Sequence, residues 1–157
     1  MIQRIQTLFL ALAFLAATAV FFFPVASVLV KLFYYKLYLY SFINMVPGEE
    51  SVFSFMTTLP LLLLNIATAG LSLVSIFLYK NRILQLKLVR TAMFSSVIVI
   101  GLIFFIYNRI AENNLGSGLD FERLGISLLL VVLLMLILAN RFIVKDERLV
   151  RSIDRLR

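Results

Sequence analysis

The amino-acid sequence predicts an all-α membrane protein with four transmembrane helices, and three observations carry the prediction. Hydrophobic residues fill 62% of the 157 positions, far above the roughly 45–50% of soluble domains, and the mean hydropathy is +1.04. Four long stretches, 5–30, 52–79, 91–108 and 124–140, contain no charged residue and are long enough to cross a bilayer, whose core needs ~17–25 apolar residues. Most of the 15 basic residues lie at the ends of alternate stretches, as positive-inside topology requires.

The first helix is expected over about 5–23, because Pro24 follows "VFFF" and cannot continue it. Its "ATA" at 17–19 has the small residues of a signal-peptide cleavage site, but the apolar run outlasts the ~7–15 residues of such a segment. It is therefore expected to stay as a span. Residues 25–42 are rich in β-branched and aromatic side chains and read as strand or interfacial chain. Lys31 and Lys36 argue against a fifth span there. Tyr34, Tyr35, Tyr38 and Tyr40 read as an interfacial aromatic belt, with a recognition surface as the alternative.

"VPGEES" at 46–51 supplies a turn, so a short β-hairpin on the outer surface fits residues 25–57. "TTLP" then places a hydroxyl cap and Pro60 at the start of a second helix over about 58–79. "YKNRILQLKLVR" reads as a basic loop over 80–90, followed by a third helix at about 91–108. The connection 109–123 contains "NNLGSGLD" and reads as a plain flexible connector. A fourth helix at about 124–141 leads into a tail, 142–157.

Orientation follows from loop charge. Arg4, the cluster Lys80, Arg82, Lys87 and Arg90, and the tail residues Arg141, Lys145, Arg148, Arg151, Arg155 and Arg157 belong to three segments that four spans put on one side. That side is expected to be cytoplasmic, with both termini inside. The two remaining connections are then extracytoplasmic.

Much chemistry is argued against by what the sequence lacks. With neither Cys nor His, thiolate and imidazole ligands and the common nucleophilic dyads are missing. None of the four spans has a charged residue between its ends, where proton-coupled and ion-coupled carriers place functional charge. "GSG" at 116–118 lacks the lysine of a phosphate loop. No catalytic, cofactor-binding or metal-binding residue is singled out, and no cofactor is expected. A net charge of +7 could suit nucleic acid, but the charges cap apolar runs and no nucleic-acid module accompanies them.

Two features remain. At 100° per residue Thr58, Asn65, Thr68, Ala69, Ser72 and Ser75 share one sector of the second helix. Such small, weakly polar stripes let helices approach closely, so Asn65, Thr68, Ala69, Ser72 and Ser75 are the candidate packing stripe; a polar path for a ligand is the sharper alternative. Ala13, Ala16 and Ala17 form a comparable face on the first helix. The tail, continued as a helix, gathers Phe142, Leu149, Ile153 and Leu156 on one face and Arg141, Arg148, Arg151 and Arg155 on another. It reads as an interfacial anchor or a docking helix, and Asp146, Glu147 or Asp154 can pair with "YKNR" or Arg4.

The opening "MIQRIQTLFL", the middle "SIFLYKNRILQLKLVR" and the closing "LANRFIVKDERLVRSIDRLR" together resemble a group of Bacteroidota inner-membrane proteins, the domain of unknown function 4293. The resemblance spans nearly the whole chain, its ending being most specific and residues 25–51 least. It implies a four-helix protein of the cytoplasmic membrane in a Gram-negative bacterium and assigns no activity.

The expectation is thus a single membrane domain with a non-enzymatic role, as an interaction or scaffold subunit of a larger complex. Its partners are the lipid bilayer and other membrane subunits or copies of itself, not nucleic acid. The candidate cytoplasmic surface comprises Arg4, Lys80, Arg82, Arg141, Lys145, Arg148, Arg151 and Arg155. A small channel or carrier for a neutral or lipidic ligand is the alternative, with a membrane enzyme behind it.

Overall fold

Leu10, Ala13, Ala17 and Val20 recur at helical spacing along the first apolar run, and all four are fully buried on one face. They form the inner side of α1 (Ile2–Ala19), which tightens into a 3-10 turn at Val20–Phe22 before Pro24. The computed structural model describes residues 2–30, 33–45, 54–79 and 81–154, and side chains from 5 to 148 within those ranges. The other helices are α2 (Phe55–Phe77), α3 (Arg82–Gly101), α4 (Asn108–Leu115) and α5 (Arg123–Asp154). A π-helical segment, Leu102–Tyr107, joins α3 to α4 without a break. Among the described residues four helices, counting α3 through α4 as one, are long and apolar enough to span a membrane.

Two cores hold the molecule together. One is the helix bundle, where Leu10, Ala13 and Ala17 of α1 meet Ala69 of α2, Val89 and Ala92 of α3, and Val132, Leu136 and Ala139 of α5. Small residues dominate it because close backbone approach, not exclusion of water, drives packing between helices in lipid. The second core lies at one end, under a four-stranded antiparallel sheet.

That sheet is built from β1 (Ala26–Val30), β2 (Phe33–Leu37), β3 (Phe42–Asn44) and β4 (Asp120–Phe121), in the order β3-β2-β1-β4. Register pairs Ala26 with Leu37 and Val30 with Phe33, then Leu37 with Phe42, and Ala26 with Phe121. Ala26, Val28, Tyr35, Leu37 and Phe42 turn inward onto Leu61, Ile103, Tyr107 and Leu129, while Leu29 stays exposed. Tyr35 is therefore a core residue and not a member of a surface belt.

Several boundaries differ from those the sequence suggests. Helix α2 starts at Phe55, where Ser54 accepts from the Met56 amide, so Pro60 lies inside the helix and Thr58 donates to the Tyr40 and Phe55 carbonyls instead of capping. The basic stretch is not a loop over 80–90: Asn81 caps α3 by accepting from the Leu84 amide, and helix begins at Arg82. Its inner face is Gln85, Leu86, Val89 and Ala92, while Lys87 and Arg90 point outward.

The 109–123 connection is also structured. Helix α4 runs to Leu115 and ends on Gly116 at φ 75°, a left-handed cap that glycine adopts without strain. Asn108 Oδ1 then accepts from the Leu119 amide at 2.8 Å, which turns the chain into β4. The turn expected at 46–51 lies outside the described residues.

Candidate functional site

Buried amides do a structural task throughout the bundle. The last four carbonyls of a helix lack partners within it, and an unsatisfied carbonyl in hydrocarbon costs several kcal/mol. Asn65 Nδ2 donates to the Ala17 carbonyl in the last turn of α1 at 3.0 Å, and Gln85 Nε2 donates to the Ser75 carbonyl in the last turn of α2 at 3.0 Å. Each amide thus closes a helix end from a neighbouring helix.

The rest of the stripe is occupied in the same way. Thr68, Ser72 and Ser75 donate back to the carbonyls of Leu64, Thr68 and Leu71, four residues earlier, and Ser95 of α3 crosses to the Leu64 carbonyl at 3.0 Å. Asn65, Thr68, Ala69, Ser72 and Ser75 are all buried. Removing the Asn65 donor removes an interhelical bond of about 0.6–1.7 kcal/mol.

At the end opposite the sheet, three helices converge. Gln6 of α1 donates to the Phe142 carbonyl of α5 at 3.2 Å, and the rings of Phe9 and Phe142 stack at 5.3 Å. Arg82, the first residue of α3, reaches Asp146 of α5 with both arms of its guanidinium: Nη2 lies 3.3 Å from the carboxylate and Nη1 donates to the Asp146 carbonyl at 3.3 Å. The side chains are 25% and 13% exposed. That places the pair between an exposed bridge, worth ~0–1 kcal/mol, and a buried one, whose breakage costs ~3–5 kcal/mol.

Helix α5 is consequently continuous from Arg123 to Asp154, ~48 Å at 1.5 Å per residue against a ~30 Å hydrocarbon core. Phe142, Ile143 and Asp146 face the bundle, and Arg141, Lys145 and Arg148 are exposed on the far side. The three cations border a groove of about 450 Å³ with Asn140 and Val144.

Of the predicted surface residues, the structure joins Arg82 to the tail and places Arg141, Lys145 and Arg148 together. Lys80, Arg155 and the side chains of Arg4 and Arg151 lie outside the described residues. Sequence reasoning missed Gln6 and Gln85, buried amides whose signal was an uncharged polar residue at helical spacing within apolar neighbours. Lys145, expected on the cytoplasmic surface but not grouped with the arginine face, lies on that face beside Arg141 and Arg148, as spacings of four and three residues along a helix require.

No curated protein and no solved structure matches this chain. A family model described as Domain of unknown function (DUF4293) matches residues 2–156, essentially the whole bundle together with its sheet and basic end, and the chain belongs to that family.

Proposed function

We propose that this chain is a non-enzymatic integral protein of the cytoplasmic membrane of a Gram-negative bacterium, acting as an interaction or scaffold subunit of a larger membrane complex. In this reading both termini and the α2–α3 turn are cytoplasmic, and the sheet is extracytoplasmic. The clustering of Arg82, Lys87, Arg90, Arg141, Lys145 and Arg148 where α3 begins and α5 finishes supports that orientation.

One observation carries the scaffold reading. The tail is an extension of a spanning helix, clamped to α3 by Arg82–Asp146 and to α1 through Gln6 and Phe9, so its basic outer face is held in one orientation. A loose topology signal needs no such clamp. The alternative of a channel or carrier loses support where its proposed polar path, Asn65, Thr68 and Ser72, donates to backbone carbonyls.

Photo-crosslinking in native membranes tests this reading. A crosslinker in place of Arg148 should give a discrete adduct with another protein or a second copy, whereas one in place of Phe22, exposed at the sheet end, should not. The same adduct pattern from both positions would overturn the proposal.

A further inference from the structure

Two grooves on the outer face of α5 meet at one residue. The basic groove is bordered by Arg141, Lys145 and Arg148. A second, of about 420 Å³, is lined by leucines and Ile137 and ends at the same Arg141. Leu130, Leu134, Ile137, Arg141, Lys145 and Arg148 follow each other by three or four residues, so they form a single stripe along the helix. Its lower half is apolar, with Leu130 and Leu134 each 51% exposed, and its upper half is cationic.

We infer that this stripe is a binding site for one anionic phospholipid, its phosphate held by Arg141, Lys145 and Arg148 and an acyl chain lying along Ile137, Leu134 and Leu130. Length supports the assignment. From Leu130 to Arg141 the helix rises ~16 Å, about the thickness of one leaflet of a ~30 Å hydrocarbon core. The guanidinium thus stands at the depth of a headgroup whose chain descends along the groove.

Charge supports it as well. Asp146 is engaged by Arg82 on the bundle side, and Asp146 and Glu147 sit about 100° or more around the helix from the cations nearest them at 100° per residue. Arg141 can bind a phosphate through two parallel N–H bonds, and the lysine adds a point charge. The inference concerns the same outer face that the scaffold reading gives to a partner but does not rest on that reading: selective lipid retention by the purified chain supports the site alone, and a protein adduct at Arg148 without lipid selectivity supports the scaffold alone.

Native mass spectrometry of the detergent-purified full chain tests it, with phosphatidylglycerol, phosphatidylcholine or glycerol phosphate added. One phosphatidylglycerol per chain should be retained in preference to phosphatidylcholine. Each of Arg141→Ala, Lys145→Ala and Arg148→Ala should weaken retention about fivefold, the effect of one basic residue near an anionic surface. Arg109→Ala and Arg123→Ala, at the opposite end, should leave it unchanged. Leu134→Trp should weaken phosphatidylglycerol retention by filling the apolar groove, with thermal unfolding of the lipid-free variant as the control for folding.

Equal retention of the two lipids would overturn the site. So would glycerol phosphate binding as tightly as the lipid, which would make it a free-phosphate site, or a dimer that covers the stripe and excludes lipid.

Discussion

Gly125→Ala is expected to destabilise the protein by about 3 kcal/mol, at or beyond the upper end of overpacking costs. A Cβ at this position would lie 2.1 Å from the Pro24 carbonyl oxygen and 2.6 Å from the Val25 Cα. Both are backbone atoms, so no side-chain rotation relieves the clash. Nor can the segment withdraw easily. The Val25 amide donates to the Leu37 carbonyl at 2.8 Å, and the Val25 carbonyl accepts from the Glu122 amide at 3.1 Å.

Gly125 is therefore where α5 presses onto the junction of α1 and β1. Alanine there has to separate the bundle from the sheet. Denaturant titration of the detergent-solubilised protein measures the loss. Wild-type stability in Gly125→Ala would mean that α5 does not approach Pro24 as closely as described. Gly70 and Gly101, beside which a Cβ would meet nothing within 4 Å, should tolerate alanine and serve as controls.

The second large effect concerns the clamp on α5. Arg82→Ala or Asp146→Ala should each cost about 1–3 kcal/mol, between the exposed and buried limits for an ion pair. The double variant should cost less than the two single changes added together, because each single change leaves a half-shielded charge without its partner. Strict additivity would show that the two groups do not interact. Since the clamp orients the tail, hydrogen exchange of residues 142–154 should also rise in the single variants, while exchange of the sheet should not.

Burial in lipid explains why the spans were legible and other elements less so. Four apolar runs stand out because lipid demands continuous hydrophobicity over ~20 residues. The beginning of α3 was hidden by Arg82, Lys87 and Arg90, whose charges suggest a loop although Gln85, Leu86, Val89 and Ala92 repeat with a helical period. Pro60 and the hydroxyls before it pulled the expected start of α2 too far along, while Ser54, the cap the helix uses, lay near the start of the same apolar run. The strand tendency of residues 25–42 was readable from their β-branched and aromatic content. The pairing of β1 with Asp120–Phe121 was not, because a two-residue strand far along the chain has no local pattern.

At the basic end the sequence showed which residues share a helix face, and even which acids could pair with "YKNR". Only the structure selects Arg82 and Asp146 from those combinations. It also reveals that Asn65 and Gln85 complete the ends of other helices, a role that depends on which helices are neighbours.

If the clamped tail docks a protein partner, the size of the natively expressed complex depends on the tail. Extraction in mild detergent, with residues 145–157 present and removed, should be followed by size analysis and mass spectrometry of what co-purifies. A stoichiometric partner, or further copies of this chain, should co-purify and be lost when the tail is removed. A lone four-helix particle, unchanged by removal of the tail, would contradict such docking.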